Sequence, residues 1–284
     1  MSKKKQKKFL IWGIIAIVVV AAAWFGLGPG INKTKPQTRT VTVGVVSQTK
    51  HKQAIWDEAA KVAKKKYGLT IKIKNFTDYN QPNKALKNGD LDLNAFQHYA
   101  FLKAWNKANK GGVVAIGRTM IAPIRLYSKK YHKLSELPKG ATIAVPNDAS
   151  NESRALLVLK NAGLITLRKG KTLVTAADVV KNPRNIKIKE ISGDQCGRVI
   201  DSVDAAVVNN DFATPAGLGD KETIYVEPMN KESLQWVNII CARKADAKNK
   251  DYQHVVDAYQ TATTKKLIKK YYGNKELAAW DIKF

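Results

Sequence analysis

The run Asn75-Phe-Thr-Asp-Tyr-Asn-Gln-Pro-Asn-Lys-Ala-Leu-Lys-Asn-Gly-Asp-Leu-Asp-Leu-Asn-Ala-Phe-Gln-His98 sets the reading of this chain. It follows an alternating strand pattern, Leu69 to Lys74, and passes through a short helix after Pro82. It then alternates again over Leu91–Phe96. Strand–helix–strand order of this kind predicts an α/β fold with a parallel-type sheet. The same run concentrates flat side chains (Tyr79, Phe96, His98) and amides (Asn80, Gln81, Asn83, Asn94, Gln97). A mostly apolar wall with a few placed polar groups is the composition of a small-ligand pocket.

The pattern extends in both directions. Val41–Val46 reads as a buried first strand, and Ala54–Lys66 as a helix stopped by Gly68. Val113–Ile116 is a further strand run. The pattern restarts with Ile124–Tyr127 and Ala141–Val145, then a helix over Glu152–Ala162 closed by Gly163. Asp204–Asn209 and the apolar run after Trp236 read as strands, and Asp251–Tyr272 has helical spacing. Two α/β units with a late return strand predict two lobes. Lobe 1 is placed at 41–120 plus 235–284 and lobe 2 at 121–234. The chain crosses between them near 119–124 and 228–236.

The amino terminus differs in kind. Lysines at 3, 4, 5, 7 and 8 form a basic head over 1–8, and 9–27 carries no charge. A helix of that length spans about one bilayer core, and the lysines place its start in the cytoplasm. Residues 28–40 read as a flexible linker. The expectation is an uncleaved transmembrane anchor with the remainder exported, a cleavable signal peptide being the alternative.

The 284 residues carry a formal charge of +26, which raises nucleic-acid binding as a class. The lysines are spread along the chain, and no nucleic-acid motif occurs. A solvated surface facing anionic lipid or wall polymer is the preferred reading. Asp90-x-Asp92-x-Asn94 begins like a calcium loop, but Ala95 and Phe101 stand where Gly and Glu are needed, so no metal is assigned. The four histidines have no zinc spacing, and no nucleophile–base motif is present. No catalytic residue and no cofactor are assigned. Cys196 and Cys241 fall in different lobes and read as buried free thiols.

Pro146-Asn-Asp-Ala-Ser-Asn-Glu-Ser-Arg154 follows a buried strand and opens a helix. Free N–H groups at such a helix start favour an anion, and an arginine can clamp a carboxylate. Taken alone, the segment reads better as a capped helix with an exposed Arg154 paired to Glu152 or solvent.

These segments carry a resemblance. Residues 75–98 resemble the FTDYxQPNxAL…GxLDxNxFQH signature of the NlpA-like lipoproteins, the methionine-binding subunits of bacterial ABC importers. Residues 146–156 resemble that family's PNDxxNxxRAL, Asp204–Asn209 its DAAVIN strand end, and Asn238 a second asparagine in its return strand. The likeness spans roughly 41–280. It implies a two-lobe periplasmic-binding-protein fold, type II-like, on a monomer that is not an enzyme. It implies a site in which Arg154 holds a ligand carboxylate beside Asn151. Asn209 and Asn238 address the amino-acid backbone, and Tyr79, Phe96, His98 and Phe101 form a side-chain slot. The ligand implied is L-methionine or a close relative such as D-methionine or a methionine dipeptide, delivered to a membrane permease. The chain departs from the pattern at Phe101, where the family commonly has Tyr, and at Cys196-Gly197-Arg198. It also lacks the family's lipid-modified cysteine after the leader, its only cysteines being Cys196 and Cys241. A surface adhesin or sensor ectodomain on the same fold is the alternative.

Overall fold

The computed structural model describes residues 39–283. The basic head, the apolar run 9–27 and nearly all of the linker lie outside the described residues. Among those described, no helix is long and apolar enough to cross a membrane.

The strands are β1 (Thr40–Val46), β2 (Thr70–Phe76), β3 (Leu93–His98), β4 (Val113–Arg118), β5 (Met120–Ile121), β6 (Arg125–Tyr127) and β7 (Thr142–Pro146). They continue as β8 (Thr166–Leu167), β9 (Val179–Lys181), β10 (Lys187–Ile191), β11 (Ala205–Val208), β12 (Thr223–Val226), β13 (Asn238–Arg243) and β14 (Leu277–Ala278). The α-helices are α1 (Lys50–Tyr67), α2 (Gln81–Asn88), α3 (Tyr99–Ala108), α4 (Ala149–Asn161), α5 (Gly193–Cys196), α6 (Asn210–Ala213), α7 (Lys250–Tyr259) and α8 (Ala262–Tyr272).

Two five-stranded sheets organise the two lobes. One runs β2-β1-β3-β13-β4 and the other β10-β7-β11-β6-β12. The alternating strands pair in parallel as expected, but each sheet is mixed because it also takes in reversed strand pairing. β13 lies antiparallel to β3 and β4, and β6 antiparallel to β11 and β12. Each reversed strand is the fourth in its sheet. Each is also the first five-sheet strand after the chain crosses between sheets, so it enters from the crossing side and runs opposite to its neighbours.

Local chemistry accounts for the elements. The Thr49 side chain accepts from Lys52 N at the start of α1, and Gly68 ends the helix at φ 65°, a conformation glycine adopts without strain. The apolar stripe Ile55, Trp56, Ala59, Ala63 then packs on Val41, Val43 and Val45 of β1 with Val255 and Tyr259 of α7. The carboxy-terminal helical spacing resolves into two helices, because Gln260 leaves helical angles and Thr261 caps α8 by accepting from Thr264 N. A second core fills the other lobe around Ile143, Val145, Leu156 and Val207. A third, including Val46, Phe96, Phe101, Val208 and Phe212, draws on both lobes. At the departure from the family pattern, a Cβ on Gly197 would stand 2.9 Å from the Phe212 carbonyl and 2.8 Å from Ala216 Cβ. Cys196 and Cys241 are buried free thiols, with burial pushing the Cys196 thiol up to about 12.

Candidate functional site

A cleft lined by residues of both lobes lies between the two five-stranded sheets. Its lining includes Tyr79, Phe96, His98, Phe101, Asn151, Arg154, Asn209 and Asn238, so the structure brings all eight candidate residues to one place. Reasoning from sequence did not single out Ala122, Ile124, Asn210 and Asp211, which line it too.

β3 supplies Phe96 and His98 by breaking its own alternation. Asn94 pairs with Cys241 and Gln97 with Ile239, three residues on β3 against two on β13. This bulge puts Asn94 and Gln97 on one face, where simple alternation would oppose them. Gln97 Nε2 donates to Asn83 Oδ1 at 2.7 Å and to Asn94 Oδ1 at 3.0 Å, and Asn94 Nδ2 donates to Asn83 Oδ1 at 2.8 Å. These three buried amides therefore satisfy one another and tie α2 to β3. Asn80 and Gln81 are exposed. Of the five amides singled out from sequence, Gln97 is the one that lines the cavity.

His98 ends β3 and caps α3. Its Nδ1 accepts from Phe101 N at 3.0 Å, so the ring proton sits on Nε2, which lies 3.2 Å from Asn151 Oδ1 and donates to it. Burial, reinforced by the charge of Arg154, lowers the imidazole pKa to about 3 and keeps the ring neutral. The Tyr79 ring packs at 5.7 Å from Phe96, 5.9 Å from Phe101 and 4.9 Å from Phe212. These rings make the apolar wall.

α4 supplies Asn151 and Arg154, three residues apart and on one face. Asp148 caps the helix, accepting from Asn151 N at 3.0 Å and from Asn151 Nδ2 at 2.8 Å. Asn151 Oδ1 then accepts from Asn209 Nδ2 at 2.9 Å. Asn209 Oδ1 is left buried without a protein partner. A buried acceptor of this kind needs a donor to offset its desolvation.

Arg154 is 4% exposed and bound to the crossing segments, neither to Glu152 nor to solvent. Its Nε donates to Glu227 Oε1 at 2.9 Å, and Nη2 donates to Glu227 Oε2 and, at 2.9 Å, to the Ala122 carbonyl. The guanidinium lies 4.8 Å from the Trp236 ring centroid. Nη1 has no protein partner among the described residues. Asn209 follows the last residue of β11, but Asn238 is the first residue of β13. Antiparallel β13 brings its beginning opposite His98, at the same sheet edge.

With Arg154 paired to Glu227, Asp211 paired to Lys52 and His98 uncharged, the charged groups of the lining are each balanced by a partner. Such a cavity suits a small molecule that is itself neutral overall, with an acidic end, a donor end and an apolar body. Comparison with known proteins fits this geometry. The model of the NlpA lipoprotein family matches residues 41–280.

The chain belongs to the NlpA lipoprotein family.

Among its relatives, the probable D-methionine-binding lipoprotein MetQ of Pasteurella multocida is 40% identical over 248 residues, covering 87% of this chain and 88% of that protein. The substrate-binding protein of a methionine transporter from Streptococcus pneumoniae is 44% identical, with a TM-score of 0.80 over 85% of this chain and 96% of that one. A nutrient-binding protein from Burkholderia cenocepacia, solved bound to methionine, is 40% identical, with a TM-score of 0.79 over 84% and 99%. The two-lobe α/β architecture is that of these NlpA-family relatives.

Proposed function

We propose that this chain is an extracytoplasmic solute-binding protein that delivers L-methionine or a close relative to the permease of an ABC importer. The observation that carries the reading is the pairing, in one cavity, of an unpartnered guanidinium nitrogen on Arg154 with an unpartnered buried oxygen on Asn209. Arg154 Nη1 takes the ligand carboxylate, and Asn209 Oδ1 accepts from the ammonium with Asn238 beside it. Tyr79, Phe96, His98 and Phe101 form the slot for the thioether, where sulfur–aromatic contact adds modest attraction. Asn151 sets the orientation of both His98 and Asn209. The lobes, taken as 41–120 plus 235–284 and 121–234, close over the ligand in a type II-like arrangement. The names of the relatives and the paired charges of the cavity support this reading over an adhesin.

Calorimetric titration of unfolded, stripped and refolded protein tests it. Methionine is expected to bind more tightly than alanine by roughly 2 kcal/mol, about thirtyfold, from the extra apolar groups buried. Aspartate and lysine are expected to bind scarcely at all, since their extra charge would be buried unpaired. D-methionine and methionyl dipeptides in the same panel fix the stereochemistry and length. A stripped protein that ignores every member overturns the proposal.

The apolar run 9–27 supports a membrane-held chain with the lobes outside. Alkaline extraction of membranes is expected to leave the protein, starting at Met1 or Ser2, in the pellet. A mature terminus near Trp24 would exclude the uncleaved anchor.

A further inference from the structure

Asp211, on α6 two residues beyond Asn209, lines the cavity and is bonded in an unusual way. Its carboxylate has no side-chain hydrogen bond within its own lobe among the described residues. Oδ1 accepts from Lys52 Nζ, and Oδ2 accepts from the Tyr79 hydroxyl at 2.9 Å. Both donors belong to the lobe built on β1. The Lys52 ammonium is already aimed: it donates to the Val46 carbonyl at 2.9 Å and to the Ser47 carbonyl at 3.2 Å, both at the end of β1. An ammonium has three donors, and Asp211 takes the third. Separating the lobes would strip Asp211 of both protein partners while leaving Lys52 held in place by two carbonyls.

The setting makes this contact count. The Lys52 and Asp211 side chains are 15% and 20% exposed, whereas Lys275 with Asp220, the other ion pair between the lobes among the described residues, is 47% and 67% exposed. Exposed pairs contribute little, but a shielded pair is weakly screened by salt. Burial and the neighbouring Asp211 raise the Tyr79 phenol well above its ordinary value, so it remains a donor. Two of the three partners also touch the cavity, Tyr79 through its ring and Asp211 through α6 beside Asn209.

Resting on the ligand reading above, we infer that Lys52, Asp211 and Tyr79 form the latch that holds the lobes closed, and that Lys52–Asp211 is a positioning pair that sets how long the ligand stays. Lys52 touches no ligand in this scheme and is absent from the cavity lining. It acts through Asp211 alone.

The test is a double-mutant cycle on the full chain, with Lys52→Met, Asp211→Asn and the two combined. L-methionine release is followed by stopped-flow tryptophan fluorescence. Each single change is expected to speed release about tenfold or more while association changes less than threefold. The double variant should release no more than twofold faster than either single one, because each change already breaks the same contact. Multiplying effects, or a release rate within twofold of wild type in both singles, overturn the latch. Small-angle scattering of the stripped proteins gives a second readout that needs no ligand. Asp211→Asn is expected to be more open than wild type, and equal profiles overturn the latch even if methionine proves not to bind. Should Asp211→Asn fail to fold, Lys52→Met carries both measurements. Wild type failing to bind methionine while Asp211→Asn opens would sink the ligand reading and leave the latch standing.

Discussion

Replacing Arg154 with alanine is expected to lower the stability of the folded protein by about 3–5 kcal/mol, in addition to abolishing tight ligand binding. The reason is Glu227. Its side chain is 10% exposed, and its two oxygens accept from Arg154, with Ile124 N also donating to Oε2 at 3.2 Å. Without the guanidinium a carboxylate stays buried with one backbone donor. Removing one partner of a buried pair costs far more than removing both. So Arg154→Met combined with Glu227→Leu should recover most of the lost stability in urea unfolding and still fail to bind. Equal stability of Arg154→Ala and wild type would mean that Glu227 is solvated or protonated in the folded state. Binding within threefold of wild type, about 0.6 kcal/mol, would remove Arg154 from the site.

The same pair marks a limit of reading this chain as a string of residues. The residues around Arg154 alone read as a capped helix start, and the resemblance of 146–156 to the family motif is what marks Arg154 as a carboxylate clamp. Its partner Glu227 is 73 residues away, next to the crossing read near 228–236, and no sequence pattern links the two. Asp211 and Lys52 are 159 residues apart, and neither has a local pattern that points to the other. Helix ends were legible where one residue decides them, as at Gly68 and Gly163, because left-handed backbone and capping are local events. The amide cluster misled for a related reason. Composition counts donors and acceptors but cannot say that a bulge in β3 will bring Asn94 and Gln97 together on Asn83, so that Asn83 and Asn94 are absent from the cavity lining while Gln97 lines it. The strand direction of β13 was invisible for the same cause, since periodicity fixes faces and leaves polarity to the tertiary fold.

Glu276→Gln is expected to remove a pH-dependent loss of stability. Glu276 is 8% exposed, just before β14, where its Oε1 accepts from Asn210 Nδ2 at 3.4 Å. Burial raises its carboxyl to about 7, with Lys52 pulling it down and the charge of Asp211 pushing it up. In the unfolded chain the same carboxyl loses its proton near its ordinary value of 4.5. Between those values the folded state binds more protons than the unfolded state, so stability falls as pH rises. The contribution is complete below about pH 4.5 and lost as pH passes about 7. At 1.36 kcal/mol for each unit, the loss approaches roughly 3 kcal/mol if the whole shift is expressed. Glutamine keeps the acceptor for Asn210 and has no proton to lose. Urea unfolding of both proteins from pH 4.5 to 8 should therefore show the variant gaining on wild type by that amount across the range. A difference that does not change with pH would mean that Glu276 ionises in the folded protein as readily as in the unfolded chain.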